Sequence, residues 1–308
     1  MDDWKVIVSR VSGGGAEERW EELAAALASN NVPYSVAFTE RYMHALDIAR
    51  QAVLDGYRKI LVAGGDGAFH EALSGVMMQD AVPSTDVTLG LIPIGSGNDW
   101  ARYHQIPTNV KRAVEIIVRG KKFVQDVVKC ETKGDDGQPM LRYMANIGGL
   151  GLDAHVCRLY TAARKKGEGG AMLYYKCLLR AFFHYKMKHF RITADGEDFY
   201  DDEALSVALG NGKYCGGGMM QTPDAAFDDG LIDMTVTGRL SKVKFVAKVR
   251  TLFNGTIKTL REVEYERAKC FHIEAEPASF VEIDGEACGT TPATFTIIPL
   301  AINVITNR

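Results

Sequence analysis

No run of apolar residues in this chain approaches the roughly 20 that a helix needs to cross a bilayer. The N-terminal MDDWKVIVSR passes straight into a strand-like segment and carries no signal-peptide pattern. The six cysteines (Cys130, Cys157, Cys177, Cys215, Cys270, Cys288) are scattered, with no CxxC pair and no metal-ligand spacing. That excludes a recognisable disulfide framework or thiolate metal site and fits a reducing cytoplasm. Charge is neither abundant nor one-sided: 24% charged residues leave a net charge of -3, so the balance gives no reason to expect nucleic acid. What is present is 308 residues, 46% of them hydrophobic, enough for a large core and for two domains. The expectation is a cytoplasmic protein that meets any membrane from the side.

One stretch organises the rest. In Lys59 to Met77, KILVAGGDGAFHEALSGVM, the apolar run Ile60-Leu61-Val62-Ala63 stops at Gly64-Gly65-Asp66-Gly67, after which Phe69, Leu73, Val76 and Met77 recur at helical spacing. This reads as a buried strand, a glycine turn and a helix N-terminus. Glycines let a ligand approach the backbone, and the helix start offers unpaired N–H groups suited to phosphate. Asp66 is the unexpected member. A carboxylate beside phosphates needs a cation between them or a proton to take; capping the helix is the plainer reading of the same residue.

Around that stretch the first third alternates. Trp4 to Val8, Tyr34 to Phe38 and Thr88 to Ile92 read as strands; Ala16 to Leu27, Ala45 to Leu54 and Val110 to Val118 read as helices. The pattern predicts a mostly parallel sheet covered on both faces, with ligands bound outside the carboxyl ends of the strands. Glycine turns at 13–15, 64–67 and 95–97 all follow strands and should gather at that edge. After Lys122, strand signals dominate: Phe123 to Glu131, Arg142 to Asn146, Phe190 to Ala194, Ala204 to Leu209, Leu231 to Val236, Val263 to Ile273, Phe280 to Ile283 and Ala293 to Ile298. The expected fold is thus two-domain: an N-terminal three-layer α/β domain over 1–122, completed by 297–308, and a C-terminal mainly β sandwich over 123–296, with a nucleotide cleft between them.

Three further features have bland and functional readings. Between Arg158 and Arg191, nine basic residues face the single acid Glu168, with Leu173, Tyr174, Tyr175, Leu178, Leu179, Phe182 and Phe183 interleaved. Such a helix suits an anionic membrane surface, although an aromatic stripe packing into the core is the commoner outcome. Pro223 to Leu231 sets acids and carbonyls in a turn that could hold a hard cation, and Asp284-Gly285 lies between apolar runs. In both, Asp-Gly is equally a stock hairpin signal.

Together these segments resemble the diacylglycerol kinase catalytic-domain family, which includes bacterial lipid kinases and the sphingosine and ceramide kinases and is distantly similar to the NAD kinases. GGDGAFHEALSGV looks like the family's GGDGT-x-x-E-x-x-x-G block, LIPIGSGNDWAR like P-x-GTxND-x-A-R, NGKYCGGGMMQTPDAAFDDGLID like the family's GGG and DDG block, and IDGE like its late D-G-E/D. The order is right over nearly the whole chain. The resemblance implies a phosphotransferase that uses ATP and Mg²⁺ and acts on the hydroxyl of a lipid alcohol such as diacylglycerol. It implies that Thr39, Gly64, Gly65, Asp66, Gly67, Ala68, Glu71, Gly95, Ser96 and Asn98 line the nucleotide. A metal would take the carbonyls of Ala226 and Leu231 and the side chain of Asp229, with Asp126 reaching it. Glu286 occupies the general-base position, while Asp66 is a partner of Mg²⁺ or, by analogy with the NAD kinases, a second candidate base. The lipid would be met at the inner membrane face by peripheral contact through 158–191, and an exposed sheet edge could support a homodimer.

The chain departs from the family pattern at Ser9-Arg10, where Asn-Pro is usual, at Ala68 for threonine, and at Met43 for the glycine of Gly-His-Ala. Two alternatives follow: a kinase of a soluble acceptor, NAD kinase-like, or a nucleotide-binding regulator that has lost catalysis.

Overall fold

The computed structural model of the chain describes residues 3–10, 16–95, 97–164, 171–240, 244, 248 and 250–308. The glycine turn at 13–15, Ser96, and Lys165, Lys166 and Glu168 of the basic stretch lie outside these residues. The chain divides into two units, Met1–Val127 with Pro299–Arg308, and Val128–Ile298.

The first unit is built from β1 (Trp4–Val8), α1 (Ala16–Ser29), β2 (Tyr34–Phe38), α2 (His44–Leu54), β3 (Lys59–Gly64), α3 (Asp66–Met77), β4 (Thr88–Pro93), α4 (Asp99–Tyr103) and α5 (Val110–Arg119). Its strands run β2-β1-β3-β4, all parallel, and residues 303–304 near the chain's end add a further parallel strand against Thr88 and Leu89 of β4. Val6, Ile7, Ile60, Leu61, Val62, Leu89 and Leu91 are fully buried. That explains why β1, β3 and β4 are almost continuously apolar: parallel strands covered on both faces have no solvent side to mark by alternation. Helix boundaries follow local chemistry. In α5 the Asn109 side chain accepts the Arg112 N–H at 3.0 Å, and Gly120 ends the helix at φ +66.

The second unit is β-rich. It takes in most of β5 (Lys122–Lys133), β6 (Pro139–Met144), β7 (Ile147–Gly151), α6 (Leu152–Arg164), α7 (Ala171–His184), β8 (Lys188–Ala194), β9 (Glu197–Ala204), β10 (Ser206–Gly210), the short pair β11 (Tyr214–Cys215) and β12 (Met219–Met220), β13 (Ile232–Thr237), β14 (Val263–Ala268), β15 (Cys270–Glu276) and β16 (Phe280–Ile283), and the larger part of β17 (Glu286–Ile305). Its antiparallel path is β14-β13-β10-β7-β16-β17. Strand β17 then changes neighbour: residues 286–290 pair with β16, and 293–296 pair with β15, which continues to β8 and β9. Phe190, Phe271, Phe295, Leu209, Met234 and Val236 fill the core.

An α/β unit followed by a β-rich one is the architecture expected above, with differences in detail. The strand read from Arg142 to Asn146 is the end of β6 and stops at Met144, Ala145-Asn146 separating it from β7, and Val263 to Ile273 is interrupted at Lys269. The strand placed at Ala293 to Ile298 is the middle of a 20-residue element. The division falls at Val127/Val128 and Ile298/Pro299, a few residues from 122/123 and 296/297. The aromatic stripe of the basic stretch is shared between two destinations. Leu173, Cys177 and Ala181 are buried against α6, whereas Leu179 and Phe183, one helical turn apart, are 57% and 60% exposed.

Candidate active site

In the first unit the carboxyl ends of the parallel strands are stitched together. Strand β3 ends at Gly64, and α3 begins at Asp66. A Cβ on Gly95 would lie 2.5 Å from the Gly65 Cα, so the turns after β3 and β4 pass in direct backbone contact that only glycines permit. Asn98, held at φ +54, closes the second turn by accepting the Gly95 N–H at 3.1 Å and donating to the Gly95 carbonyl at 2.7 Å. A Cβ on Gly64 would meet the Ala68 Cβ at 2.6 Å and the Ser9 Cβ at 3.3 Å, which brings the end of β1 to the same place. At the end of β2, the Thr39 hydroxyl accepts the Arg10 N–H at 3.0 Å. Gly64, Gly65, Asp66, Gly67, Ala68, Gly95 and Asn98 therefore gather at one edge, with Thr39 joined to it through Arg10 and Ser9.

The two acids of α3 have structural tasks that their motif does not announce. Asp66 caps a neighbouring helix: its Oδ2 and Oδ1 accept the N–H groups of Asp99 and Trp100 at 3.2 and 3.0 Å, at the start of α4. Gly97 keeps that approach open, since a Cβ there would lie 3.0 Å from Asp66 Oδ2. Glu71 is buried, and its two oxygens accept the N–H groups of Met43 and Ala45, each at 3.0 Å, at the start of α2. Burial pushes its pKa up against the pull of those two bonds. The Glu71 carboxylate, expected at the nucleotide, is thus a helix cap. Met43, where the family pattern has glycine, sits at φ +59.

In the second unit, Asp284 and Gly285 form the two-residue loop between β16 and β17, with Ile283 paired to Glu286 across it. Both have positive φ, +53 and +83, as a type I′ hairpin requires. The plain-turn reading is therefore right about the backbone, but Asp284 does more. Its carboxylate accepts three consecutive backbone N–H groups, from Ala145 at 2.7 Å, Asn146 at 2.8 Å and Ile147 at 3.0 Å. Glu282 Oε2 accepts the Gly285 N–H at 2.9 Å. Glu286, the expected base, is the half-buried first residue of β17.

The expected metal ligands fit less well. Asp229 Oδ1 accepts the Leu231 N–H at 3.1 Å, and its Oδ2 is in contact with the Arg267 guanidinium. Arg267 Nε also donates to the buried Asp233 at 3.1 Å, and the Tyr265 hydroxyl donates to the other Asp233 oxygen. Asp126 belongs to the first unit, where its buried carboxylate accepts the Leu300 N–H at 2.6 Å. Carbonyl and carboxylate oxygens are the right chemistry for a hard cation. Here, however, a guanidinium already holds Asp229, and among the described residues no group of three or more His, Cys, Asp or Glu side chains is arranged for a metal. Of the four expected ligands, Ala226, Asp229 and Leu231 belong to the second unit and Asp126 to the first.

Residues 3–130 match the family model described as the diacylglycerol kinase catalytic domain, and residues 147–306 match the YegS C-terminal NAD kinase beta sandwich-like domain. The chain belongs to the diacylglycerol kinase family. It is 31% identical over 258 residues to a "Diacylglycerol kinase" of Mycobacterium tuberculosis, covering 83% of this chain and 79% of that protein. To a "Probable lipid kinase YegS-like" of Xanthomonas oryzae pv. oryzae it is 27% identical over 286 residues, 92% of this chain and 89% of the other. The crystal structure of a diacylglycerol kinase from Bacillus anthracis superposes with a TM-score of 0.77 at 25% identity, covering 99% and 97% of the two chains. Family membership makes the protein a kinase, that is, a phosphotransferase.

Sequence reading missed Asp284 as an anchor, the Ala145-Asn146-Ile147 segment that receives it, and Arg267. The Asp284 anchor carries one signal in the residues themselves: an acid rather than Asn at the first position of a two-residue turn, next to buried apolar strands.

Proposed function

We propose that this family member transfers the γ-phosphate of ATP to the hydroxyl of a lipid alcohol of the diacylglycerol type. The observation that carries the reading is the backbone contact of Gly65 with Gly95, which leaves two glycine turns and the start of α3 together at one sheet edge. The start of α3 offers backbone N–H groups beside turns whose glycines carry no side chain, an arrangement suited to a triphosphate. Phosphoryl transfer depends on positioning and charge neutralisation. Mg²⁺, if bound with the nucleotide, would supply charge neutralisation of the phosphates; no protein ligand is assigned to it.

Glu286 is the proposed general base. Its carboxylate takes the proton of the acceptor hydroxyl as that oxygen bonds to the γ-phosphorus and the bond to the ADP leaving group breaks. Such a base contributes about 10²–10⁴-fold in rate. Asp66 is assigned to holding α4, and thereby the Gly95–Asn98 turn, in place.

The acceptor is proposed to be reached at a membrane surface through α7, where the exposed Leu179 and Phe183 lie among the exposed Lys176 and Arg180. No helix among the described residues is long and apolar enough to cross a membrane. The test is to incubate the protein with γ-labelled ATP and a total lipid extract. Label in the organic phase supports the reading. Label confined to the aqueous phase points to a soluble acceptor, and ATP binding without turnover on any acceptor points to a regulator.

A further inference from the structure

The geometry points to Asp284 as a positioning residue for Glu286, acting through an anchor on the Ala145–Ile147 segment; the inference rests on Glu286 being the base. A two-residue hairpin at the end of two strands is an ordinary place for backbone fluctuation, and a base there would be held loosely. This hairpin is tied on three sides. The Asp284 carboxylate receives three successive N–H groups within 3.0 Å, and the Asp284 N–H donates to the Ile147 carbonyl at 2.8 Å. The Gly285 N–H is taken by Glu282, and the Gly285 carbonyl accepts the Cys157 thiol at 3.1 Å.

Segment 145–147 is itself a junction. The Asn146 carbonyl accepts the N–H groups of Asn211 and Gly212 at 2.9 and 2.8 Å. The Asn146 amide donates to the Tyr214 carbonyl at 2.8 Å, and the Asn211 amide donates to the Ala145 carbonyl at 3.0 Å. Two blocks far apart in sequence, NGKY at 211–214 and DGE at 284–286, are thereby fixed to one three-residue strap. A charged acceptor for three donors is stronger than neutral partners would be, and it is buried away from competing water. A hairpin alone needs Asn, Asp or Gly at this position. The carboxylate is the extra requirement, and its effect falls on the residue two places on.

The test is a double-mutant cycle with Asp284→Asn and Glu286→Gln, read by kcat, by KM for ATP and by thermal midpoint. Asn suits the left-handed conformation but presents one neutral acceptor oxygen in place of the charged pair. The expected result is a fall in kcat of about 10²-fold, the scale of a displacement near 1 Å at a reacting group, with KM for ATP changed less than about twofold. In the Glu286→Gln background, Asp284→Asn should cost almost nothing further, because the group it positions is gone. An equal loss in both backgrounds, or a loss confined to the thermal midpoint, would overturn the positioning role while leaving the base assignment intact. Full activity of Glu286→Gln alone would overturn both. If Asp284→Asn does not fold, Glu282→Gln, which weakens the tie on Gly285, is read in the same cycle with the same two outcomes.

Discussion

Asp66 and Trp100 stand 34 residues apart in sequence, and the carboxylate of one accepts the backbone N–H of the other at 3.0 Å. Through that bond the first residue of α3 starts α4, and the glycine turn after β3 is tied to the glycine turn after β4. The same helix uses Glu71 to start α2. One helix thus carries the N-terminal caps of two others.

Removing the Asp66 carboxylate should therefore unsettle a helix it does not belong to. Asp66→Ala leaves the Asp99 and Trp100 N–H groups without their acceptor, at a cost of about 1–3 kcal/mol. Trp100 stacks on Phe69 at 4.1 Å between centroids, so the loss should extend into the core. Urea unfolding would show the destabilisation, and a change below about 0.5 kcal/mol would remove the cap from the account.

Much of the first unit was legible because its signals are local. A short buried strand followed by glycines and a helical period is written within 20 residues of Lys59. What the edge is made of was less legible. The Gly65–Gly95 contact follows from convergence at one sheet edge, but nothing around Glu71 shows that its oxygens face Met43 and Ala45 at the start of α2. From sequence Asp284 is legible only as a turn residue, because its partners lie nearly 140 positions away. Of strand β17 only Ala293 to Ile298 is legible, because the strand changes partner along its length, from β16 at 286–290 to β15 at 293–296.

His104 should set part of the acid limit of stability. Burial lowers its pKa from 6.5 to about 3. A folded state that holds its histidine neutral binds fewer protons than the unfolded chain, so stability falls as pH drops below about 6.5, by at most about 1.4 kcal/mol per unit, until about pH 3. Denaturant midpoints between about pH 7 and 4 should show this slope, and His104→Gln should flatten it. An unchanged slope in the variant would assign the acid sensitivity to other groups.

Arg267 should behave as the resident cation of the Asp229–Asp233 pair. Arg267→Leu leaves Asp233 buried beside Asp229 without its counter-charge, and a loss of about 2–3 kcal/mol is expected. Because Asp229 is then released, Mg²⁺ should raise the melting temperature of the variant more than that of the wild type, and EDTA should reverse the gain. Equal effects of Mg²⁺ on both proteins would show that the guanidinium does not compete for that carboxylate.

The exposed pair on α7 should govern attachment to lipid. Leu179→Asp with Phe183→Asp removes two apolar contacts and adds like charge to an anionic surface. Sedimentation with anionic vesicles should fall by tenfold or more, on the order of 1.5–3 kcal/mol per apolar side chain. Nucleotide binding should not change. Unaltered vesicle binding would move the contact elsewhere on the protein.

The central claim is tested most directly by incubating wild type and Glu286→Gln with γ-labelled ATP and vesicles containing diacylglycerol, then resolving the lipid products by thin-layer chromatography. The account predicts labelled phosphorylated lipid from the wild type and a yield lower by about 10²-fold or more from the variant. No labelled lipid from the wild type, or equal yields from the two proteins, would contradict it.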